Sequence, residues 1–457
     1  MTAQRIHILG VGGTFMSALA LLAREAGFQV TGSDANCYPP VSDLLTAKGI
    51  EWTEGYEDSQ QALEADVVIV GNAIKRGMPV LEAVLNAGIK YTSGPQWLAE
   101  HILPRYRVMA VSGTHGKTTT TSMLAHILNY AGMHPGFLIG GVASNFNTSA
   151  CLGDGEWFVI EADEYDSAFF DKRPKFMHYR PEIAILNNLE FDHADIYDDL
   201  KAIQQQFHYF LRTIPGKGLV LKPRDDLALN EVVARSPFCR VEEMALNGEA
   251  TWRAELLDES GQAFRFWHVG KEVAEVNWPL IGHFNVENAL AAFAASVQAG
   301  VKPSIAAKAL EHFKPVKRRL EIKSNRHGVT VYDDFAHHPT AIKKTIAALK
   351  QSGRHQRILV VLEFASYTMR MGVHAQEMAE ALTNVDAVYV LNPMDFCLSE
   401  VAKDWRCPYL VLTSIDLIVE SVIKDVQEGD AVLVMSNRGF GNIHQHLISR
   451  INEKFSH

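Results

Sequence analysis

Residues 109–121 read Met-Ala-Val-Ser-Gly113-Thr114-His115-Gly116-Lys117-Thr118-Thr119-Thr-Thr, with the apolar-periodic positions Met123, Leu124, Ile127 and Leu128 directly behind them. An apolar strand, a glycine loop and then a helix is the order that a polyphosphate needs. Loop amides and the helix N-terminus point at phosphate oxygens, a lysine reaches the terminal phosphates, and a hydroxyl holds Mg²⁺. The usual pattern has a further glycine where Val111 stands, so the loop is a shortened variant. A plain strand–helix corner with a surface lysine is built from the same residue types. The strand-and-helix context favours ATP.

Two acidic clusters follow. Glu161-Ala-Asp163-Glu164-Tyr165-Asp166 and Asn187-Asn188-Leu-Glu190-Phe-Asp192-His193-Ala-Asp195 each come directly after an apolar run. In open sheets, ligands bind at the C-terminal ends of the strands. There Glu161, with His193, suits Mg²⁺ bridging the nucleotide and a second substrate. Solvated acidic loops are the alternative. Nearer the N-terminus, Gly10, Gly12 and Gly13 follow a strand, with Asp34 at the distance of a ribose contact. Phe15 replaces the third glycine of a dinucleotide fingerprint, which leaves NAD, another phosphate-bearing nucleotide and a simple glycine turn all open. In the last third, Asp333-Asp334-Phe-Ala-His337-His338-Pro339 follows a strand, and Arg318-Arg319 precedes it. A carboxylate there suits ribose hydroxyls. An interdomain arginine suits phosphate, although a solvated linker face explains the pair equally well. The adjacent histidines hint at zinc, but no other ligands lie at metal spacing, so zinc is discounted.

These loops need three α/β segments to carry them. The first has strands at Ile6–Leu9, ending at Asp34, and at Asp66–Val70, with a helix over Ser17–Ala26; a linker is expected at Glu100–Arg107. The second begins with the phosphate loop. It continues through strands at Trp157–Ile160 and Ile183–Leu186 and a β-rich stretch over about 218–282, and closes on a helix at Asn285–Ala299. The third has strands at Val329–Tyr332, Ile358–Leu362, Ala387–Leu391, Tyr409–Leu412 and Ala431–Met435, a second open sheet. The boundaries expected are 1–106, 107–315 and 316–457.

The chain has 457 residues, more than one core usually serves. Its formal charge of −10 argues against nucleic acid or an acidic membrane surface as partner. Positive charge must therefore be concentrated locally around ATP. The five cysteines, Cys37, Cys151, Cys239, Cys397 and Cys407, form no Cys-x-x-Cys pair, which suits a reducing compartment. Arg5 and His7 flank a strand-like run rather than a signal peptide, and no apolar stretch reaches the length of a membrane span. A cytoplasmic location is expected.

Together these elements resemble the Mur ligase family of ATP-dependent amide-forming enzymes along the whole chain. The resemblance rests on residues 10–16, 113–119, 161–166 and 192–195, Asn285 and Asn288, Arg319, and 333–339. It implies three domains: a Rossmann-like UDP-binding domain, a central P-loop ATPase-like domain and a C-terminal Rossmann-like open sheet. It also implies that the first loop holds a UDP-sugar, through Gly10, Gly12, Gly13, Thr14, Phe15 and Met16, with Asp34, Asn72 and His115. ATP would sit on Gly113 to Thr119, with Asn285 on the adenine side, Arg319, and Asp334 toward the ribose. Lys117, Glu161 and His193 would be catalytic, and Thr118, Glu161 and His193 would hold metal. Residues 32–40, 93–98, 187–195 and 435–441 resemble the branch that joins UDP-N-acetylmuramate to the murein tripeptide L-Ala-γ-D-Glu-meso-diaminopimelate in cell-wall recycling. The branch adding L-alanine is less similar there, and a catalytically impaired UDP-sugar-binding homologue is a third reading. Cofactors are then ATP and Mg²⁺. The expected partners are the UDP-sugar and tripeptide, without nucleic acid or membrane, in a monomer or weak homodimer. The sequence departs from the branch at Phe364-Ala365, where an arginine is usual and Arg370 is a distant substitute, and at Arg438 and Asn442, where glycines are usual. Gln204 or Gln205 falls near the place of a lysine that sister ligases carbamylate, so no carbamate is expected.

Overall fold

The computed structural model describes residues 3–39, 41–194, 196–235, 238–363, 374–392 and 402–456. It has three sheets. In the first, β1 (Arg5–Leu9), β2 (Gln29–Asp34), β3 (Glu51–Glu54), β4 (Val67–Val70) and β5 (Tyr91–Ser93) run parallel in the order β3-β2-β1-β4-β5. The order reverses beside β1, so the glycine loop that follows β1 sits at a switch point, where open sheets bind ligands. Val67–Val70 is buried throughout, as a parallel strand covered on both faces must be.

The second sheet comprises β6 (Arg107–Ser112), β7 (Gly136–Ala143), β8 (Thr148–Cys151), β9 (Trp157–Glu161), β10 (Ile183–Leu186), β11 (Leu219–Pro223), β12 (Arg240–Leu246), β13 (Trp252–Leu256), β14 (Ala263–His268) and β15 (Lys271–Asn277). Their order is β15-β14-β13-β12-β11-β10-β6-β9-β7-β8. β10, β6 and β9 are parallel neighbours, so the loops after all three open on one edge. The helix Lys117–Tyr130 lies against His283–Gln298; between them they bury Met123, Leu124, Ile127, Leu128, Leu290 and Phe293. The stretch 218–282 is β-rich as expected, although the helix Leu227–Ala234 interrupts it and a further helix, Pro303–Glu311, follows the closing one.

The third sheet runs β16 (Glu321–Arg326), β17 (Val329–Asp334), β21 (Asp430–Met435), β18 (Arg357–Glu363), β19 (Ala387–Leu391) and β20 (Tyr409–Leu412), parallel except for β16. β16 escaped the sequence reading because its alternation is charged and mostly exposed. The expected linker at 100–107 is more ordered than a linker. Glu100 and His101 end the helix Gly94–His101, and Leu103–Arg105 form a 3₁₀ turn. Asn442 has φ 58° at the start of the last helix, a left-handed position that asparagine tolerates nearly as well as the glycine usual there. Phe364, Ala365 and Arg370 lie outside the described residues.

Candidate active site

The phosphate loop takes its shape from its glycines. Gly113 has φ 131° and Gly116 φ 81°, and a Cβ at Gly116 would collide with Asn288 Oδ1. The loop is held from the β10 side. His115 N donates to Asn188 Oδ1 (2.7 Å), Glu190 N donates to Thr114 Oγ1 (2.9 Å), and Asn187 Nδ2 donates to Thr120 Oγ1 (3.0 Å). Thr118 and Thr119 are buried in the first turn of the helix.

Lys117 is half-buried and donates from Nζ to Gly113 O (2.8 Å) and Glu164 Oε2 (2.9 Å), with Asp163 Oδ1 at 3.7 Å. Burial alone would lower its pKa, but Glu164 and Asp163 reverse that and raise it, so the ammonium is permanent. Glu164 is the hub of the acids. Burial works against its charge, yet Lys117 and the hydrogen bond with His193 Nε2 (3.1 Å) hold its pKa at about 2. Glu164 in turn raises the pKa of His193 against burial. The Glu164 carbonyl accepts from the Tyr197 hydroxyl. Glu161 accepts from Thr118 Oγ1 (3.0 Å) and Gly140 N (2.7 Å); burial, with Asp163 beside it, pushes its pKa up. Thr118 and Glu161 offer hard oxygen donors. Three buried carboxylates, Glu161, Asp163 and Glu164, face the ammonium groups of Lys117 and Lys175, so a divalent ion such as Mg²⁺ fits the donor set and the charge.

The first loop reaches this site through Lys175. Its Nζ lies 3.2 Å from Asp163 Oδ2, 4.6 Å from the centre of the Phe15 ring and 4.2 Å from that of Tyr165. Asp163 thus stands between a lysine of the phosphate loop and a lysine resting on the N-terminal loop. Gly10 has φ 83°, and Gly13 N donates to Gly10 O (3.1 Å). The helix Thr14–Glu25, which includes Thr14, Phe15 and Met16, has no side-chain cap, so its first amides are free of a capping acceptor. Asp34 accepts from Gly12 N and Asn36 N (each 2.8 Å), fixing the loop. Asn72 is exposed just past β4.

From the third sheet, Arg319 Nη2 approaches Thr118 Oγ1 (3.4 Å), and its guanidinium lies 5.1 Å from the centre of the Phe335 ring. Its neighbours Arg318 (φ 63°) and Leu320 (φ 46°) are both left-handed. Asp334 accepts from Leu320 N (2.7 Å) and Ala336 N (2.8 Å), so its carboxylate braces the turn that carries Arg319. His338 caps the helix Pro339–Gln351 and is buried beside His115; burial and that ring lower its pKa. Thr340 Oγ1 donates to Glu190 Oε2 (2.6 Å) across the two units. Asn285 turns back on its own helix, donating to Ile281 O (2.8 Å).

The structure therefore joins Lys117 to His193 through Glu164, joins Thr118 to both Glu161 and Arg319, and connects Phe15 to Lys117 through Lys175 and Asp163. Among the described residues, no hydrogen bond joins Asn72 or Asn285 to those groups. The sequence reading assigned no role to Glu164, Lys175, Asn187 or Glu190. Glu164, Asn187 and Glu190 stand in the quoted clusters, but a solvated carboxylate and a hub carboxylate look alike in sequence. Lys175 had no motif to mark it.

Family models match in three consecutive pieces: the Mur ligase family catalytic domain at residues 5–106, the Mur ligase middle domain at 111–296, and the Mur ligase glutamate ligase domain at 318–438. The chain belongs to the Mur ligase family, and is an ATP-dependent ligase of three-unit α/β fold. It is 50% identical over 454 residues, 99% of each chain, to the UDP-N-acetylmuramate–L-alanyl-γ-D-glutamyl-meso-2,6-diaminoheptandioate ligase of Escherichia coli K12. The UDP-N-acetylmuramate–L-alanine ligase of Chlorobium chlorochromatii is 36% identical, over 85% of this chain and 82% of that one. A solved murein peptide ligase from Psychrobacter arcticus superposes with a TM-score of 0.78 at 43% identity, covering 98% of this chain and 99% of that one. Among the described residues, no helix is long and apolar enough to cross a membrane.

Proposed function

We propose that this chain joins the lactoyl carboxyl of UDP-N-acetylmuramate to the amine of L-Ala-γ-D-Glu-meso-diaminopimelate, in the cytoplasm, with hydrolysis of ATP to ADP and phosphate. The observation that carries this reading is the pairing of full-length identity to the tripeptide ligase with the bridge Lys117–Asp163–Lys175–Phe15 between the two nucleotide loops. A carboxylate is a poor acyl donor. Its oxygen attacks the γ-phosphorus of ATP, ADP leaves, and the acyl phosphate that forms is attacked by the amine. The amine loses a proton, and the tetrahedral adduct expels phosphate. Lys117 and Arg319 neutralise charge on the transferring phosphoryl group. Glu164 holds Lys117 and His193 in place and raises the pKa of each against burial. Thr118 and Glu161 would hold one Mg²⁺ and His193 would lie near a second, and these ions would supply Lewis-acid charge at the phosphates. Lys175 supplies a second fixed cation between the sugar loop and the acids. Burial of Glu161 and Glu164 removes water from the acids that face Lys117.

The test is phosphate release with UDP-N-acetylmuramate and ATP, with the tripeptide or free L-alanine supplied separately. Turnover with the tripeptide is expected. Turnover with L-alanine alone would replace this reading with the single-amino-acid ligase, and UDP-sugar binding without turnover on either amine would replace it with a binding protein.

A further inference from the structure

The steps just described leave one cluster unused as a unit. His115 Nε2 lies 3.3 Å from Glu190 Oε2, and His338 Nδ1 lies 3.6 Å from the same oxygen. One ligand atom from each of the three residues falls within 4.8 Å of the others. A tetrahedral ion with legs of about 2.0–2.1 Å sets its ligand atoms roughly 3.3–3.4 Å apart, so two edges of the triangle are already close to that spacing. The carboxylate oxygen is oriented by Thr340 Oγ1 at 2.6 Å, the outer hydrogen bond typical of a metal-bound carboxylate. His338 is 6% exposed, and its Nε2 has no hydrogen-bond partner among the described residues. Among the described residues its Nδ1 accepts only from the Thr340 amide, at 3.3 Å, a contact that an ion would replace. His374 packs edge-on against the His338 ring, 4.6 Å between centres, and its Nε2 is also without a partner.

We propose that His115, Glu190 and His338 form a binding site for a divalent transition-metal ion of the zinc class. Two imidazoles and one carboxylate, with a fourth position open, suit zinc and its neighbours; Mg²⁺ prefers oxygen donors throughout. The site is separate from Thr118 and Glu161, the oxygen pair suited to Mg²⁺. Its ligands come from the phosphate loop, the loop after β10, and the residue capping the first helix of the third unit. An ion there bolts the third unit onto the phosphate loop, so zinc is a brake on opening rather than a participant in the chemistry.

The test is titration of the full chain with Co²⁺ in saturating Mg²⁺. One equivalent is expected to produce visible ligand-field absorption without a thiolate band, and one equivalent of Zn²⁺ should abolish it. His338→Ala and Glu190→Gln should each weaken Co²⁺ binding by at least roughly 10–100-fold, the cost of losing even an outer-shell partner. The exposed His312→Gln should bind like the parent. Thr340→Val keeps all three ligands and should weaken binding by about tenfold; it provides the decisive comparison if either ligand variant melts early in EDTA. Absence of the Co²⁺ signal in the parent, or its retention within threefold in the ligand variants and Thr340→Val, overturns the proposal.

Discussion

Replacing Lys117 with alanine tests the electrostatic account of the site most directly. The ammonium is the largest favourable influence on Glu164, whose carboxyl sits at about 2 against an ordinary 4.5. That gap corresponds to about 3 kcal/mol of stabilisation. Removing one partner of a buried pair costs about 3–5 kcal/mol because the other charge is stranded. The central unit should then melt roughly 6–20 °C lower, at about 2–4 °C per kcal/mol. The pH dependence has a definite sign. In the parent, the contribution of Glu164 is complete above 4.5 and is lost as pH falls through about 2. In the variant, burial is no longer opposed by Lys117, so the Glu164 pKa rises. The carboxyl then takes up a proton as pH falls, and the deficit against the parent, largest at neutral pH, should shrink in mild acid. Turnover should fall by at least about 10²–10³-fold, as for loss of a transition-state donor, while UDP-sugar binding stays nearly intact. The assays are thermal melting at neutral and mildly acidic pH, phosphate release, and calorimetric titration with UDP-N-acetylmuramate. A deficit below about 1 kcal/mol, well under the cost of a stranded buried charge, or one that does not change with pH, would refute the stranded-charge reasoning. Joint loss of turnover and UDP-sugar binding would refute separate sites.

Gly116→Ala forces a side chain onto φ 81° and into Asn288, at a cost of about 1–2 kcal/mol for the backbone alone; the ATP KM should rise more than about tenfold, and parental ATP affinity in a nucleotide-binding assay would contradict it. Arg319→Lys keeps the charge but loses the planar fork aimed at Thr118. It should lower kcat by about 10²-fold at saturating ATP with little change in KM, and steady-state kinetics that show only a KM effect would remove Arg319 from the transition state.

The strands that carry the site were legible because parallel, doubly covered strands are continuous apolar runs bounded by turn residues, as at Val67–Val70 and Ile183–Leu186. The phosphate loop was legible because few other contexts put two glycines before Lys-Thr at the end of a strand. What escaped depends on distance through space. Lys175 is an ordinary lysine until folding sets it between Phe15 and Tyr165. Zinc was discounted because no ligands lie near His338 in sequence, yet Glu190 and His115 reach it from 148 and 223 residues away. Asp334 was read as a ribose ligand; that two backbone amides also hold its oxygens, and so brace the Arg319 turn, had no mark in the sequence. A short carboxylate motif does not reveal which donors the fold will bring to it.

The left-handed pair around Arg319 bears on how the third unit meets the phosphate loop. Arg318 and Leu320 aim the arginine at Thr118 through a turn that Asp334 braces at Leu320 N. The position of that cation over the central unit is thus set from the end of a strand in the third, by two backbone torsions on either side of one side chain.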